Sequence, residues 1–183
     1  VVAVFFGDGA MTTGALLESL NMARFLQVPI YLICEDNNYA EYTNIESTVG
    51  KRRITEIFSA FGIKTVEVDG NDVLAVFRAI KDYDDYVRNN KAPLAIHAYT
   101  YRFGGHSVND PANYRSKEEV EMWKSFDPIL RLKNRLISEN IATKDELDMI
   151  ETENAKKVDE IVERASKGAP ITLDEALKLA GDP

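Results

Sequence analysis

The chain alternates apolar runs with polar, glycine-containing stops. Val1 to Phe6 form an unbroken apolar run closed by Gly7-Asp8-Gly9, which predicts a short strand buried on both faces. Leu16, Leu17, Leu20 and Ala23 fall on one face of a helix predicted over Thr13 to Leu26. Ile30 to Cys34 predict a second strand, halted by the polar cluster Glu35-Asp36-Asn37-Asn38. Ile54, Ile57, Phe58 and Phe61 recur at helical spacing, with Gly62 just past the end of that helix. Lys64 to Val68 predict a third strand ahead of the turn Asp69-Gly70-Asn71. Asn71 or Asp72 can cap the next helix, whose stripe is Val73, Val76, Phe77, Ile80, Tyr83 and Val87. Asn89-Asn90-Lys91 ends that helix, and Pro93 to Tyr99 predict a fourth strand.

Strands alternating with helices in this way specify a parallel α/β sheet with right-handed crossovers and flanking helices. Beyond Arg102 the pattern changes. Phe103 to Tyr114 is a polar loop with Gly104, Gly105 and Pro111, and helices follow over 117–124, 128–138 and 144–166. Ser116…Glu119 and Thr143…Glu146 both fit capping boxes, and Thr172 opens a further short helix. The expected organisation is an α/β core over 1–115 and a C-terminal helical extension over 116–183, the latter packed on the sheet or on a partner.

Composition narrows the function classes. Of 183 residues, 45% are hydrophobic and 28% charged, and there is no apolar run long enough to span a membrane. The formal net charge is −8, which opposes binding to phosphate backbones and anionic membranes. One cysteine and two histidines exclude an internal disulfide and a Cys/His zinc framework. The chain opens on an apolar run without Met or a signal-peptide pattern, so a piece of a longer chain is expected.

In an open parallel sheet, ligands gather beyond the carboxyl ends of the strands. Three polar clusters fall there: Gly7 to Ala10, Glu35 to Tyr39, and Tyr101 to Asp110. Glycines beside a helix start bring main-chain N–H groups to a phosphate. Asp8 among them would repel a phosphate unless a cation lay between, which points to Mg²⁺ or Ca²⁺. Asn37, one crossover away, offers a side-chain oxygen at the neighbouring strand tip, and the turn after it exposes main-chain carbonyls. Asp-Gly is also common in ordinary turns, and Asp36-Asn37-Asn38 also serves simply to end a strand. His97, inside a strand, reads as a satisfied core residue and Cys34 as a small strand hydrophobe. A nucleotide-binding dehydrogenase would need a third glycine that this turn lacks; a non-catalytic interaction module would bind no metal-dependent ligand.

The stretch Gly7-Asp8-Gly9-Ala10, then Gly14 and Glu18, then Glu35 to Tyr39, resembles the thiamine-diphosphate motif that opens with GDG and closes with NN. Gly14 to Ala23, Val68 to Val73, Thr100 to Ser107, Asp110, Tyr114-Arg115, Trp123 and Asp127-Pro128 resemble the E1 α subunit of 2-oxo acid dehydrogenase complexes. The likeness runs from residue 1 to about 165, and the family's long segment ahead of its GDG is absent. It implies the thiamine-diphosphate-binding fold, with Mg²⁺ held by Asp8, Asn37 and the carbonyl of Tyr39. It implies that the Gly9 and Ala10 amides contact the diphosphate and that Arg102 pairs with it. His106 matches the active-site histidine of a mobile loop, Glu18 a position near the subunit interface, and Ser107 a position phosphorylated in mitochondrial relatives.

The implied reaction is oxidative decarboxylation of a 2-oxo acid with acyl transfer to the lipoyl group of E2. Pyruvate, branched-chain 2-oxo acids and acetoin remain open as substrates. The implied partners are an E1 β subunit in an α₂β₂ assembly and the E2 lipoyl domain, in the cytoplasm or the mitochondrial matrix. The β subunit carries the glutamate that activates the cofactor, so this chain alone is expected to be inactive.

Overall fold

The computed structural model describes residues 1–49 and 53–181. Strand β1 (Val2–Gly7) leads through a 3₁₀ turn (Asp8–Thr12) into helix α1 (Gly14–Phe25), and β2 (Ile30–Asp36) follows. A small antiparallel hairpin, β3 (Tyr39–Ala40) and β4 (Thr43–Asn44), precedes α2 (Ile45–Val49) and α3 (Ile54–Ala60). Then come β5 (Lys64–Asp69), α4 (Val73–Asp82), α5 (Asp84–Asn89) and β6 (Leu94–Tyr99). Helices α6 (Lys117–Lys124), α7 (Pro128–Ser138), α8 (Lys144–Ser166) and α9 (Leu173–Ala180) complete the chain.

The sheet has the order β1-β2-β6-β5 with every neighbouring pair parallel, which is the α/β architecture expected. Its register aligns Gly7 with Glu35, Asp36 with Tyr99, and Tyr99 with Asp69. The carboxyl ends of all four strands therefore finish level, and the loops that leave them share one edge.

Period-two alternation along the central strands feeds two separate cores. Leu32, Cys34 and Ala95 pack with Leu20 of α1 and Ile54 and Phe58 of α3. Tyr31, Ile33, Leu94 and Ile96 pack on the other face with Ala79 of α4 and Val87 of α5. Helices thus cover both faces of β2 and β6.

The folded chain departs from the sequence expectation in three places, and at the α4 cap it selects one of the two residues offered. β1 is an edge strand: it pairs with β2 alone, and Val2 is 56% and Phe5 62% exposed. A run apolar on both faces marks a strand that can be covered, without saying what covers it. The single helix expected through Val87 is two, broken at Tyr83 (φ −114°, ψ 7°), where the Tyr31 hydroxyl donates to Asp84 at 2.7 Å at the start of α5. Asp72 rather than Asn71 caps α4, accepting from the N–H groups of Leu74 and Ala75. The Ser116 box is half-formed: Ser116 accepts from the Glu119 N–H, but the Glu119 carboxylate accepts instead from the Tyr39 and Tyr101 hydroxyls.

Other local expectations hold in detail. Gly62 follows α3 with φ +67°, the left-handed exit that glycine takes without a Cβ penalty. Thr143 and Glu146 form a complete, reciprocal capping box at α8, and Thr172 with Glu175 forms another at α9. Contacts divide the chain into Val1–Leu132 and Lys133–Pro183, so α6 and the first residues of α7 belong to the unit that holds the sheet. Within the second unit Ile150, Val158 and Ile161 of the α8 stripe are exposed. Among the described residues no helix is long and apolar enough to cross a membrane.

Candidate functional site

The level strand ends bring Asp8, Asn37, Tyr39 and Arg102 to one edge of the first unit. Asp8 follows β1 directly, Asn37 follows β2, and Arg102 lies three residues beyond β6. Asp8 is 1% exposed, and its Oδ2 is buried without a hydrogen-bond partner. Burial first, and then the negative charge of Asp36, push its carboxyl up from the ordinary value; its own N–H, the N–H of Asn37 and the Arg102 guanidinium act in the opposite direction. An ionised, buried carboxylate oxygen with no donor is costly. A cation at that oxygen would remove the cost and neutralise the repulsion from Asp36.

The Asn37 turn is built locally. Asp36 Oδ1 accepts the Asn38 N–H at 3.1 Å, and Asn37 Oδ1 accepts the Tyr39 N–H at 3.1 Å. Asn38 adopts φ +68°, a left-handed turn that asparagine tolerates better than most residues. Its carbonyl accepts the Ile45 N–H at 2.9 Å, which ties the turn to α2. Tyr39 is buried, and its hydroxyl donates to Glu119, so the side chain is anchored from α6 while its main chain stays at the strand tip.

Gly9 and Ala10 occupy the 3₁₀ turn after β1. Gly9 is not needed for positive φ. A Cβ there would stand 2.7 Å from the Cβ of Ala40, so its role is close packing of the Asp8 turn against the β3 hairpin.

Arg102 and His106 form the second half of the site. The Arg102 guanidinium donates to the Glu41 carbonyl at 2.5 Å, to the Tyr114 hydroxyl at 2.8 Å and to His106 Nδ1 at 3.2 Å. A guanidinium has no acceptor, so this bond assigns the lone pair to Nδ1 and the proton to Nε2. His106 is exposed, with Nε2 3.9 Å from the Glu41 carboxylate and its ring edge-on to Tyr42.

The loop that carries His106 is held by residues to which no role is assigned from sequence. Asp110 accepts the His106 N–H at 2.6 Å and the Tyr114 hydroxyl at 2.8 Å. Desolvation opposes ionisation of Asp110, but these donors and the Ala112 N–H hold its carboxyl below the ordinary value. The Arg115 guanidinium donates to the carbonyls of Arg102, Phe103 and Gly104, gathering the loop's first turn around one cation. Tyr101 stacks flat on Trp123 with ring centres 5.1 Å apart, which seats α6 under the loop. Tyr114-Arg115 and Trp123 stand out in the sequence only as part of the family resemblance. The one generic signal for the clamp was an arginine and an aspartate flanking a glycine-rich loop.

The remaining candidates lie elsewhere. His97 is 3% exposed and bonds Asp36 through Nε2 at 2.7 Å. Cys34 is fully buried, and burial pushes its thiol well up from the ordinary value, with Asp36, Asp8 and Glu35 adding to the effect. Glu18 and Ser107 are exposed in this chain. A cavity of about 350 Å³, lined by Asn38, Glu67, Arg53, His97 and Tyr99 among others, opens beyond Asp36; Asp8, Asn37 and Arg102 do not line it. Among the described residues no three His, Cys, Asp or Glu side chains converge to hold a metal. One carboxylate, one amide oxygen and one main-chain carbonyl, completed by a ligand's oxygens, form a different donor set, suited to Mg²⁺.

Residues 1–172 match the family model described as dehydrogenase E1 component. The chain is 37% identical over 173 residues to the pyruvate dehydrogenase E1 component subunit alpha of Rickettsia bellii, covering 94% of this chain and 53% of that protein. It is 40% identical over 154 residues to the protein of the same name from Rhizobium meliloti, covering 84% of this chain and 44% of that one. A mitochondrial type II protein of the same kind from Ascaris suum is 38% identical over 178 residues, covering 94% and 45% of the two chains. The chain spans about half the length of these relatives. With the parallel sheet and the ordered strand-tip motifs on one edge, the chain belongs to the dehydrogenase E1 component family.

Proposed function

We propose that this chain is the diphosphate-holding part of an E1 α subunit, using thiamine diphosphate and Mg²⁺ in the oxidative decarboxylation of a 2-oxo acid. The observation that carries this reading is the buried, partnerless Oδ2 of Asp8 beside the Asn37 turn and within the field of Arg102. The relatives, all named as pyruvate dehydrogenase subunits, favour pyruvate over branched-chain 2-oxo acids and over acetoin.

In this reading Asp8, the Asn37 side chain and the Tyr39 carbonyl hold Mg²⁺, an all-oxygen set matched to a hard cation. The Gly9 and Ala10 amides face the diphosphate, and Arg102 neutralises it. Bound thiamine diphosphate supplies the electron sink for loss of CO₂. His106 presents Nε2–H from the loop beside Arg102, where it would donate a hydrogen bond to the substrate-derived oxygen and assist acyl delivery to a lipoyl group. Arg115 and Asp110 hold that loop in place.

The E1 β subunit and the E2 lipoyl domain are the proposed partners, with no role for nucleic acid or membrane, and the cytoplasm or mitochondrial matrix is the proposed location. Calorimetry with thiamine diphosphate, with and without Mg²⁺, on the chain reconstituted with a β subunit tests the cofactor reading. A turnover panel of pyruvate, branched-chain 2-oxo acids and acetoin on the same assembly tests the substrate.

A further inference from the structure

The buried pair His97–Asp36 lies one step behind the proposed metal ligands. His97 belongs to β6 and Asp36 ends β2; Nε2 and Oδ2 are 2.7 Å apart, and both side chains are at least nine-tenths buried. The other carboxylate oxygen of Asp36 accepts the Asn38 N–H, and its carbonyl accepts the Thr100 N–H at 2.8 Å. Tyr99 lies against the imidazole with ring centres 4.1 Å apart, which restricts its rotation. Nδ1 of His97 is buried without a partner. Nε2 faces the Asp36 carboxylate, which accepts and does not donate, so the imidazole carries a proton on Nε2, directed at Asp36.

We infer that His97 is a positioning residue for the cofactor site: through the Asp36 carboxylate it fixes the turn that presents Asn37 and the Tyr39 carbonyl. The chain of contacts is continuous. His97 orients Asp36, Asp36 accepts from the Asn38 N–H, and Asn38 in its left-handed conformation sets the directions of the Asn37 side chain and the Tyr39 main chain on either side. Asp36 also places a second negative charge near Asp8, so the pair contributes field as well as geometry to any cation held there. In this reading His97 is not itself a metal ligand and acts through Asp36. Partners of this kind orient metal ligands, and their loss typically weakens metal binding by about 10- to 100-fold.

This inference rests on the proposed function for its consequence at the metal, but the positioning itself is read from the 183-residue chain. Amide-resolved hydrogen exchange on wild type, His97→Leu and His97→Gln is the direct test. Gln keeps an N–H donor near the position of Nε2, whereas Leu removes it. In His97→Leu the Asn38 and Tyr39 amides are expected to exchange about fivefold faster or more, relative to the β6 amides of the same variant, with His97→Gln close to wild type. Unchanged relative protection in His97→Leu, or failure of His97→Gln to restore it, overturns the inference.

Should His97→Leu not fold, ¹⁵N shifts of the wild-type imidazole decide. A proton on Nε2 is expected, and an unprotonated Nε2 overturns the inference. In the assembly with a β subunit, Mn²⁺ affinity in the presence of thiamine diphosphate is expected to fall about tenfold in His97→Leu but not in His97→Gln. Equal Mn²⁺ affinity in wild type and His97→Leu overturns the inference. Absence of Mn²⁺-dependent binding in wild type overturns the cofactor reading instead and leaves exchange to judge His97.

Discussion

Gly9 and Ala40 approach so closely that a Cβ on Gly9 would stand 2.7 Å from the Ala40 Cβ. The turn that carries Asp8 is therefore packed against the hairpin that follows Asn37 and Tyr39. Gly9→Ala must push the two apart. It is expected to cost about 1–3 kcal/mol of stability and to lower metal-dependent cofactor affinity in the assembly with a β subunit. Urea denaturation and calorimetry on the same variant read both effects. Full retention of affinity would mean that the spacing of these two turns is irrelevant to binding.

Asp8 gives a stability prediction with a definite sign. Its folded pKa lies above the ordinary value of 3.8, through burial first and the charge of Asp36 second. A carboxyl raised in this way contributes stability while it is protonated, and that contribution is lost as pH rises from 3.8 through the folded value. Above that folded value the metal-free chain carries a destabilising carboxylate. Asp8→Asn is expected to raise the Tm of the metal-free chain at pH 7 by about 2–4 °C, for a gain of about 1 kcal/mol. The gain shrinks as the pH is lowered toward 4. Thermal scans across that range check it; a variant less stable than wild type at pH 7 would contradict it.

Arg115 holds the first turn of the His106 loop through three carbonyls. Lysine keeps the charge but cannot span them, because it lacks the planar fork. Arg115→Lys is expected to open residues 103–110 to proteolysis about tenfold faster, on the basis of roughly 1.4 kcal/mol of lost local stability. The protection of the β6 amides should stay unchanged. Loosening of the whole sheet would show that Arg115 supports the fold rather than the loop.

Cys34 is buried between β1 and β6, and burial drives its thiol upward. A protonated, inaccessible thiol is inert. Labelling by a thiol reagent at pH 8 is expected to be at least about 100-fold slower than for a free cysteine and to track global unfolding in urea. Fast labelling of the native chain would contradict the packing of this strand.

Much of this architecture is legible in the sequence, and particular residues show why the rest is not. The parallel strands follow from apolar runs, and Asp8 and Asn37 follow from their places at strand ends. The β3 hairpin has two-residue strands, Tyr39–Ala40 and Thr43–Asn44, too short for any periodicity to register. The break at Tyr83 leaves the apolar stripe continuous, so it reads as one helix. Glu119 fits a local capping box, yet Tyr39 lies 80 residues away, and only the folded chain brings that competing donor within reach. The Arg115 clamp depends on the path of a loop, and carbonyl positions leave no trace in residue identity. His97 reads as a core histidine and is one, but its partner Asp36 ends the strand that leads into Asn37.

The central proposal is a divalent cation held by Asp8 and Asn37 at adjacent strand tips. Titration calorimetry of thiamine diphosphate into the chain reconstituted with its β subunit, with and without Mg²⁺, for wild type and Asp8→Ala, tests it most directly. The expected result is Mg²⁺-dependent binding in wild type that Asp8→Ala abolishes. Equal affinity with and without Mg²⁺, or full Mg²⁺-dependent affinity in Asp8→Ala, would contradict it.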